Sequence, residues 1–229
     1  MHKENLEIPG TGDSIPASLW LPEDHHSRAV VLLGHGLGVD RHHEYNLRTA
    51  ALLTAEGCSV LAPELPLHGE RRPEEPADGD AVVSSWQAYW AGGGVQALKE
   101  EWSDAQSYAI DRFPGMPIGY FGLSLGTQYG IPFLADNEEI EAAVLGLFGS
   151  RPRPQTRVMN EYASSVSCPV AFIKQADDEI HPSETADHLF GSLGSTTKNM
   201  IAGPGRHADV PQANMQLAVQ FLMRHLGVR

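Results

Sequence analysis

Cysteine is scarce. Cys58 and Cys168 are the only two in 229 residues, too few for a disulfide scaffold, and neither has a close partner at zinc-binding spacing. No apolar run approaches the roughly 20 residues that a membrane-spanning helix needs. The opening MHKENLEIPG also has no apolar signal segment behind its basic residue. The expectation is a soluble, cytoplasmic chain with no membrane partner. Positive charge is short as well: 16 Lys and Arg face 29 Asp and Glu, a net of −13 with His neutral. That balance argues against nucleic acid as a partner, because phosphate backbones select basic surfaces. Aromatic residues are only 7%, yet hydrophobic residues as a whole reach 41%. A chain of this length buries roughly 70% of its extended surface, enough for a full core, and wholesale disorder is excluded. No repeat or low-complexity linker divides the sequence and no feature specifies an oligomer, so one domain over 1–229 is expected.

What is present alternates. Ile15 to Leu21 reads as a strand. Ala29 to Leu33 is a wholly apolar run ended by Gly34, the pattern of a strand buried on both faces. A helix over Asn46 to Glu56 has Gly57 as its stop, and Ser59 to Ala62 resumes strand character. The Pro-, Gly- and charge-rich region from Glu64 to Gly94 predicts loops with a short helix over Val82 to Trp90. From Val95, apolar residues Leu98, Trp102, Ala105, Ala109 and Phe113 recur at three or four, one face of a helix that starts after three glycines. Strands follow at Pro117 to Phe121, Ala142 to Leu147, Pro169 to Ile173 and Thr196 to Ile201. Helices are expected from Ser124, bent or ended by Pro132, around Pro154 to Ala163, over Ser183 to Leu193, and along the stripe Met215, Ala218, Leu222 and Leu226. Repeated strand–helix alternation predicts a three-layer α/β domain.

Gly122-Leu123-Ser124-Leu125-Gly126 is the strongest local signal. It falls between a predicted strand and a predicted helix, where such a turn exposes a serine hydroxyl as a nucleophile. The Leu125 N–H, at the positive end of the new helix, is placed to stabilise an oxyanion. A serine needs a base, and His207, in Gly205-Arg206-His207 after the last strand, is the candidate. An acid that orients that imidazole is expected in Gln175-Ala176-Asp177-Asp178-Glu179-Ile180-His181-Pro182, at Asp177 or Asp178.

With these segments the chain resembles the α/β-hydrolase superfamily, in particular its dienelactone-hydrolase-like and prolyl-oligopeptidase-like serine esterases. The resemblance runs from about Leu19 to Leu226 and includes His35-Gly36-Leu37-Gly38, GLSLG, QADDEIHP and GRH. It implies a mostly parallel eight-stranded sheet with helices on both faces. In the family's acid segment Gln175 takes a glycine position and Pro182 the proline position, so Asp178 is implied over Asp177. The Leu37 N–H is implied as a second oxyanion donor beside Leu125, with His35 organising its loop. Dienelactone hydrolases themselves commonly carry cysteine at the nucleophile; serine at 124 points to a broader esterase. The family's strand order also implies that Cys58 and Cys168 lie too far apart for a disulfide, so both are expected as free thiols.

The expected function is a serine carboxylesterase acting on small or medium esters through an acyl-enzyme. No metal or organic cofactor is needed, and the partner is a small-molecule ester. A thioesterase, a peptidase of the same fold and a non-catalytic binding protein are the alternatives. Trp86, Tyr89 and Trp90 are candidates for a substrate-binding wall, or for packing their own segment. The short stretch between Leu147 and Val170 leaves room for only a minimal lid. Asp40, His42 and His43 read as a polar loop rather than a metal set, and Arg71-Arg72 as a solvated turn.

Overall fold

The computed structural model describes residues 1–73, 79–151 and 157–228. It is an α/β fold whose eight strands run in the sheet order β1-β2-β4-β3-β5-β6-β7-β8. The chain divides into two compact units, Met1–Met116 and Pro117–Arg229.

In the first unit β1 (His2–Ile8) runs antiparallel to β2 (Ile15–Leu21), which is antiparallel to β4 (Cys58–Pro63). β4 then pairs in parallel with β3 (Ala29–Gly34). Val30, Val31, Leu32 and Leu33 are all fully buried. Successive strand residues face opposite ways, so both faces of β3 are covered. Helix α1 (Glu44–Ala55) packs on β3 and β4 and turns out at Gly57, φ 84°. Helix α2 (Gly79–Tyr89) passes through a π-helical turn, Trp90–Gly94, into α3 (Val95–Arg112). Two of its glycines have distinct reasons: Gly93 has φ 97°, and a Cβ on Gly94 would lie 2.3 Å from the Tyr89 ring. Trp102, on the buried stripe of α3, is 1% exposed.

Four parallel strands form the second unit: β5 (Ile118–Gly122), β6 (Ile140–Gly146), β7 (Val170–Gln175) and β8 (Lys198–Gly203). Helix α4 (Leu125–Ala135) packs on β5, β6 and α5 (Arg157–Ser165); α6 (Ser183–Ser192) packs on β7; α7 (Gln212–His225) covers β6 to β8. Phe121, Phe133 and Phe172 lie in this unit's core, each burial contributing roughly 2–3 kcal/mol. Pro132 does not end α4, which continues to Ala135. Residues 154–156 of the expected helix before β7 lie outside the described residues.

β1 is the strand that the sequence reading lacks. Its HKENLEI opens with four polar residues, has only Leu6 and Ile8 as apolar ones, and is mostly exposed. Its seven-residue register with β2 supplies the backbone partners that such a sequence does not advertise.

Candidate active site

Between β5 and α4 the chain turns at Ser124, whose φ of 57° and ψ of −117° lie where side chains other than glycine are strained, a cost of about 1–3 kcal/mol. Several bonds hold it there. The Ser124 N–H donates to the Gly146 carbonyl at 2.9 Å, and the Tyr120 hydroxyl donates to the Gly126 carbonyl at 2.6 Å. The buried Thr127 hydroxyl accepts the Gly146 N–H at 2.7 Å and has the Gly122 and Gly146 carbonyls at 2.8 and 2.7 Å for its own proton. A Cβ at position 122 would stand 2.7 Å from the Gly126 oxygen, so only glycine permits this close return. Leu125 is the first residue of α4, and its N–H has no carbonyl one turn back to satisfy it.

His207 brings the other groups to this turn. Its Nε2 lies 3.0 Å from Ser124 Oγ, and its Nδ1 lies 2.9 Å from Asp178 Oδ2. With Asp178 ionised, the network assigns Nδ1–H as donor to the carboxylate and leaves Nε2 to accept the serine proton. The other carboxylate oxygen, Asp178 Oδ1, accepts the N–H groups of Ile180 and His181 at 2.9 and 2.8 Å. Asp177, in contrast, is exposed, and its backbone N–H is spent on the Gly205 carbonyl at 3.1 Å. The structure thus sets Asp178, not Asp177, against the imidazole.

Two further residues, Glu179 and Gln175, to which the sequence reading assigns no role at the site, build this corner. Glu179 Oε2 accepts the backbone N–H of His207 at 2.9 Å, with Arg206 3.0 Å from its other oxygen. Gln175, at the position where the family pattern has glycine, is buried and donates from Nε2 to the carbonyls of Pro204 and Asp209 at 3.0 and 2.8 Å. The longer side chain braces the turn carrying His207. The only sequence signal for this was its departure from the family pattern.

In the first unit, the HGLG loop is pinned by two buried histidines. The Nε2 of His35 accepts the Leu65 N–H at 3.1 Å, while His68 Nε2 accepts the N–H of Gly38 at the same distance. His68 Nδ1–H donates to the Pro66 carbonyl at 2.8 Å, which fixes the neutral tautomer. Burial, and after it the neighbouring His35, pushes the His68 pKa down to about 4. Leu37 is half-exposed on this loop. Trp86 is 3% exposed and lies edge-on to His68, with its ring close to those of Tyr89 and Trp90. It packs its own segment, while Tyr89 and Trp90 keep part of their surface.

Among the described residues, no group of three His, Cys, Asp or Glu side chains is arranged to hold a metal ion. His43 caps α1, and His42 Nε2 meets the Ser18 hydroxyl at 3.0 Å. Arg71, expected in a solvated turn, instead pairs with Glu101 through both terminal nitrogens at 2.6 and 2.7 Å. Neither Cys58 nor Cys168 is in a disulfide, and both are buried. No described helix is long and apolar enough to cross a membrane.

The strand–turn–helix at Ser124 and the parallel order of β5 to β8 define the architecture of an α/β hydrolase. Among solved structures, the chain is similar to a cold-adapted esterase from an Arctic intertidal metagenomic library, seen in a complex with polyethylene glycol. That likeness has 31% identity, covers 97% of this chain and 93% of that one, and has a TM-score of 0.84. An esterase of Pyrococcus furiosus shares the fold at 19% identity, with 99% and 93% of the chains covered and a TM-score of 0.72. A dienelactone hydrolase of Anabaena variabilis does so at 17% identity, with 100% and 99% covered and a TM-score of 0.75. No family model matches the sequence, and no curated protein does. The chain belongs to the α/β-hydrolase superfamily, among its esterase-like hydrolases.

Proposed function

We propose that the protein is a serine carboxylesterase for small or medium carboxylic esters, with Ser124 as nucleophile, His207 as general base and acid, and Asp178 as the orienting carboxylate. One observation carries this reading: a single imidazole lies 3.0 Å from Ser124 Oγ and 2.9 Å from Asp178 Oδ2. Those are distances at which a proton moves along a hydrogen bond. The esterase described for the 31% identical relative supports the same reaction class.

Ser124 Oγ attacks the ester carbonyl carbon as its proton passes to His207 Nε2. The carbonyl oxygen becomes an oxyanion, held by the Leu125 N–H. One such donor contributes about 3 kcal/mol at the transition state. Collapse breaks the bond to the alcohol oxygen, which takes the proton from Nε2 and leaves. A water then gives a proton to Nε2 and its oxygen to the acyl carbon. The second collapse returns that proton to Ser124 Oγ and releases the acid. Asp178 stays ionised throughout and stabilises the imidazolium.

The test is fluorophosphonate labelling with peptide mapping, beside hydrolysis of ester, thioester and peptide substrates. Label at Ser124, and loss of both label and turnover in Ser124→Ala, is expected. Label elsewhere with turnover intact in that variant overturns the nucleophile; faster cleavage of thioesters or peptides than of esters overturns the substrate class.

A further inference from the structure

Two rings beside His207 have no task in that mechanism. The His181 ring centroid is 5.8 Å from that of His207, and the Phe148 ring is 4.7 Å from His181. Both residues are half-buried. His181 is tied to the catalytic constellation itself. The His181 backbone N–H is bound by Asp178 Oδ1, the carboxylate whose other oxygen meets His207.

Phe148 follows an unusual turn at the end of β6. Gly146 has φ 141° and Leu147 has φ 48°, a region that a leucine adopts only against its own Cβ. A Cβ on Gly146 would stand 2.2 Å from the Ile173 carbonyl oxygen, and the Leu147 N–H donates to that same carbonyl at 2.9 Å. The Gly146 carbonyl in turn receives the N–H of Ser124. Backbone strain is therefore spent on delivering an aromatic ring next to the nucleophile's own support.

His181 is chemically suited to that position. Among the described residues neither of its ring nitrogens has a hydrogen-bond partner. Burial, then the neighbouring His207, pushes its pKa down to about 4, with Asp178 pulling the other way. At neutral pH it presents a flat, uncharged ring with one donor and one acceptor. It adds no second cation beside the imidazolium that forms on His207.

We propose that Phe148 and His181 form the platform for the leaving alcohol, and that the preferred esters carry an aryl or arylmethyl group on the alcohol oxygen. This rests on the esterase reading above. His207 Nε2 must reach the departing oxygen to protonate it, so the first carbons of the alcohol lie on the flank of that imidazole. The rings beside it supply a surface on which another ring stacks or meets edge-on at ordinary aromatic distances.

A matched pair of substrates tests the platform: benzyl acetate and ethyl acetate share an acyl group and have leaving alcohols of similar acidity. The benzyl-to-ethyl ratio of kcat/KM is expected to fall about five- to tenfold in Phe148→Ala and in His181→Ala. His181→Phe, which keeps a ring, should retain at least half of the wild-type ratio. Phe148→Leu keeps volume without the aromatic face, guards against a variant that fails to fold, and should lower the ratio as the alanine does. An unchanged ratio, or a shift that follows acetyl against butyryl instead, overturns the platform alone. A wild-type protein that hydrolyses none of these esters overturns both the platform and the esterase reading.

Discussion

Glu179 holds His207 by the backbone, 2.9 Å from its N–H, while the preceding residue Asp178 holds the same histidine by its ring at 2.9 Å. Two consecutive side chains of the acid loop thus fix both ends of one residue. A ring carried on a loop has to be restrained in position as well as in rotation, because an error of an ångström at Nε2 breaks the line to Ser124.

Loss of the backbone clamp should therefore lower turnover more than binding. In Glu179→Ala, kcat is expected to fall about three- to tenfold with KM within about twofold, and Glu179→Gln, which still accepts, should recover most of the loss. The His207 N–H, ahead of the Arg206 guanidinium, holds the Glu179 carboxyl below its usual range. The clamp consequently persists as pH falls through the ordinary glutamate range and is lost only below it. Steady-state kinetics of both variants from pH 8 down to the acid limit checks this.

Asp178 and Asp177 are separable by the same measurement. Asp178→Asn should reduce kcat by about 10³- to 10⁴-fold, because an amide favours the wrong histidine tautomer. Asp177→Asn, at an exposed side chain, should remain within about twofold, as surface changes usually do. Equal losses in the two variants would contradict the assignment of roles, and circular dichroism establishes that each is folded.

Acid should weaken the fold through His68. Its folded pKa of about 4 lies below the ordinary 6.5, so between those values the unfolded chain binds more protons than the native one. The stability from keeping His68 neutral is complete above pH 6.5 and is lost as pH falls towards 4. It amounts to roughly 3 kcal/mol in all, with about 2 kcal/mol gone by pH 5. His181 titrates in the same window and adds to the slope. Urea unfolding at pH 7.5 and 5 should show a smaller pH loss in His68→Gln than in the wild type.

Neither thiol should react in the native protein. Burial pushes Cys58 and Cys168 up to about 12 each, leaving at pH 8 only about one thiolate in 10⁴. A chromogenic disulfide reagent should titrate no thiol in the folded chain and both in guanidinium. Rapid reaction under native conditions would show that a buried cysteine becomes accessible.

Much of this was legible in the sequence, and for identifiable reasons. β3 announces itself by an unbroken apolar run, α3 by its spacing of three and four, and the turn at Ser124 by glycines that its tight geometry requires. The pair Asp177-Asp178 was not separable from composition, since both are carboxylates one residue apart; only the loop's path decides which faces inward. β1 was missed because its exposed, charged sequence gives no burial signal and its order comes from pairing with β2. His68, Gln175 and Glu179 act on backbone groups distant in sequence, and side chains that bind backbone leave no residue pattern at the other end. Phe148 escaped notice because the left-handed conformation that delivers it falls on Leu147, a residue that no turn rule marks.

The carbonyl of Gly146 has a last implication, for how this enzyme's preferences can change over generations. It anchors Ser124 on one side and starts the kink that presents Phe148 on the other. On the esterase reading and the aromatic platform proposed above, rate and scope are yoked to one peptide unit, so substitutions at 147–149 that retune substrate choice are expected to disturb turnover as well. On the same proposal, adaptation toward new esters has an easier path through His181, whose ring can be exchanged while its backbone N–H stays bound to Asp178.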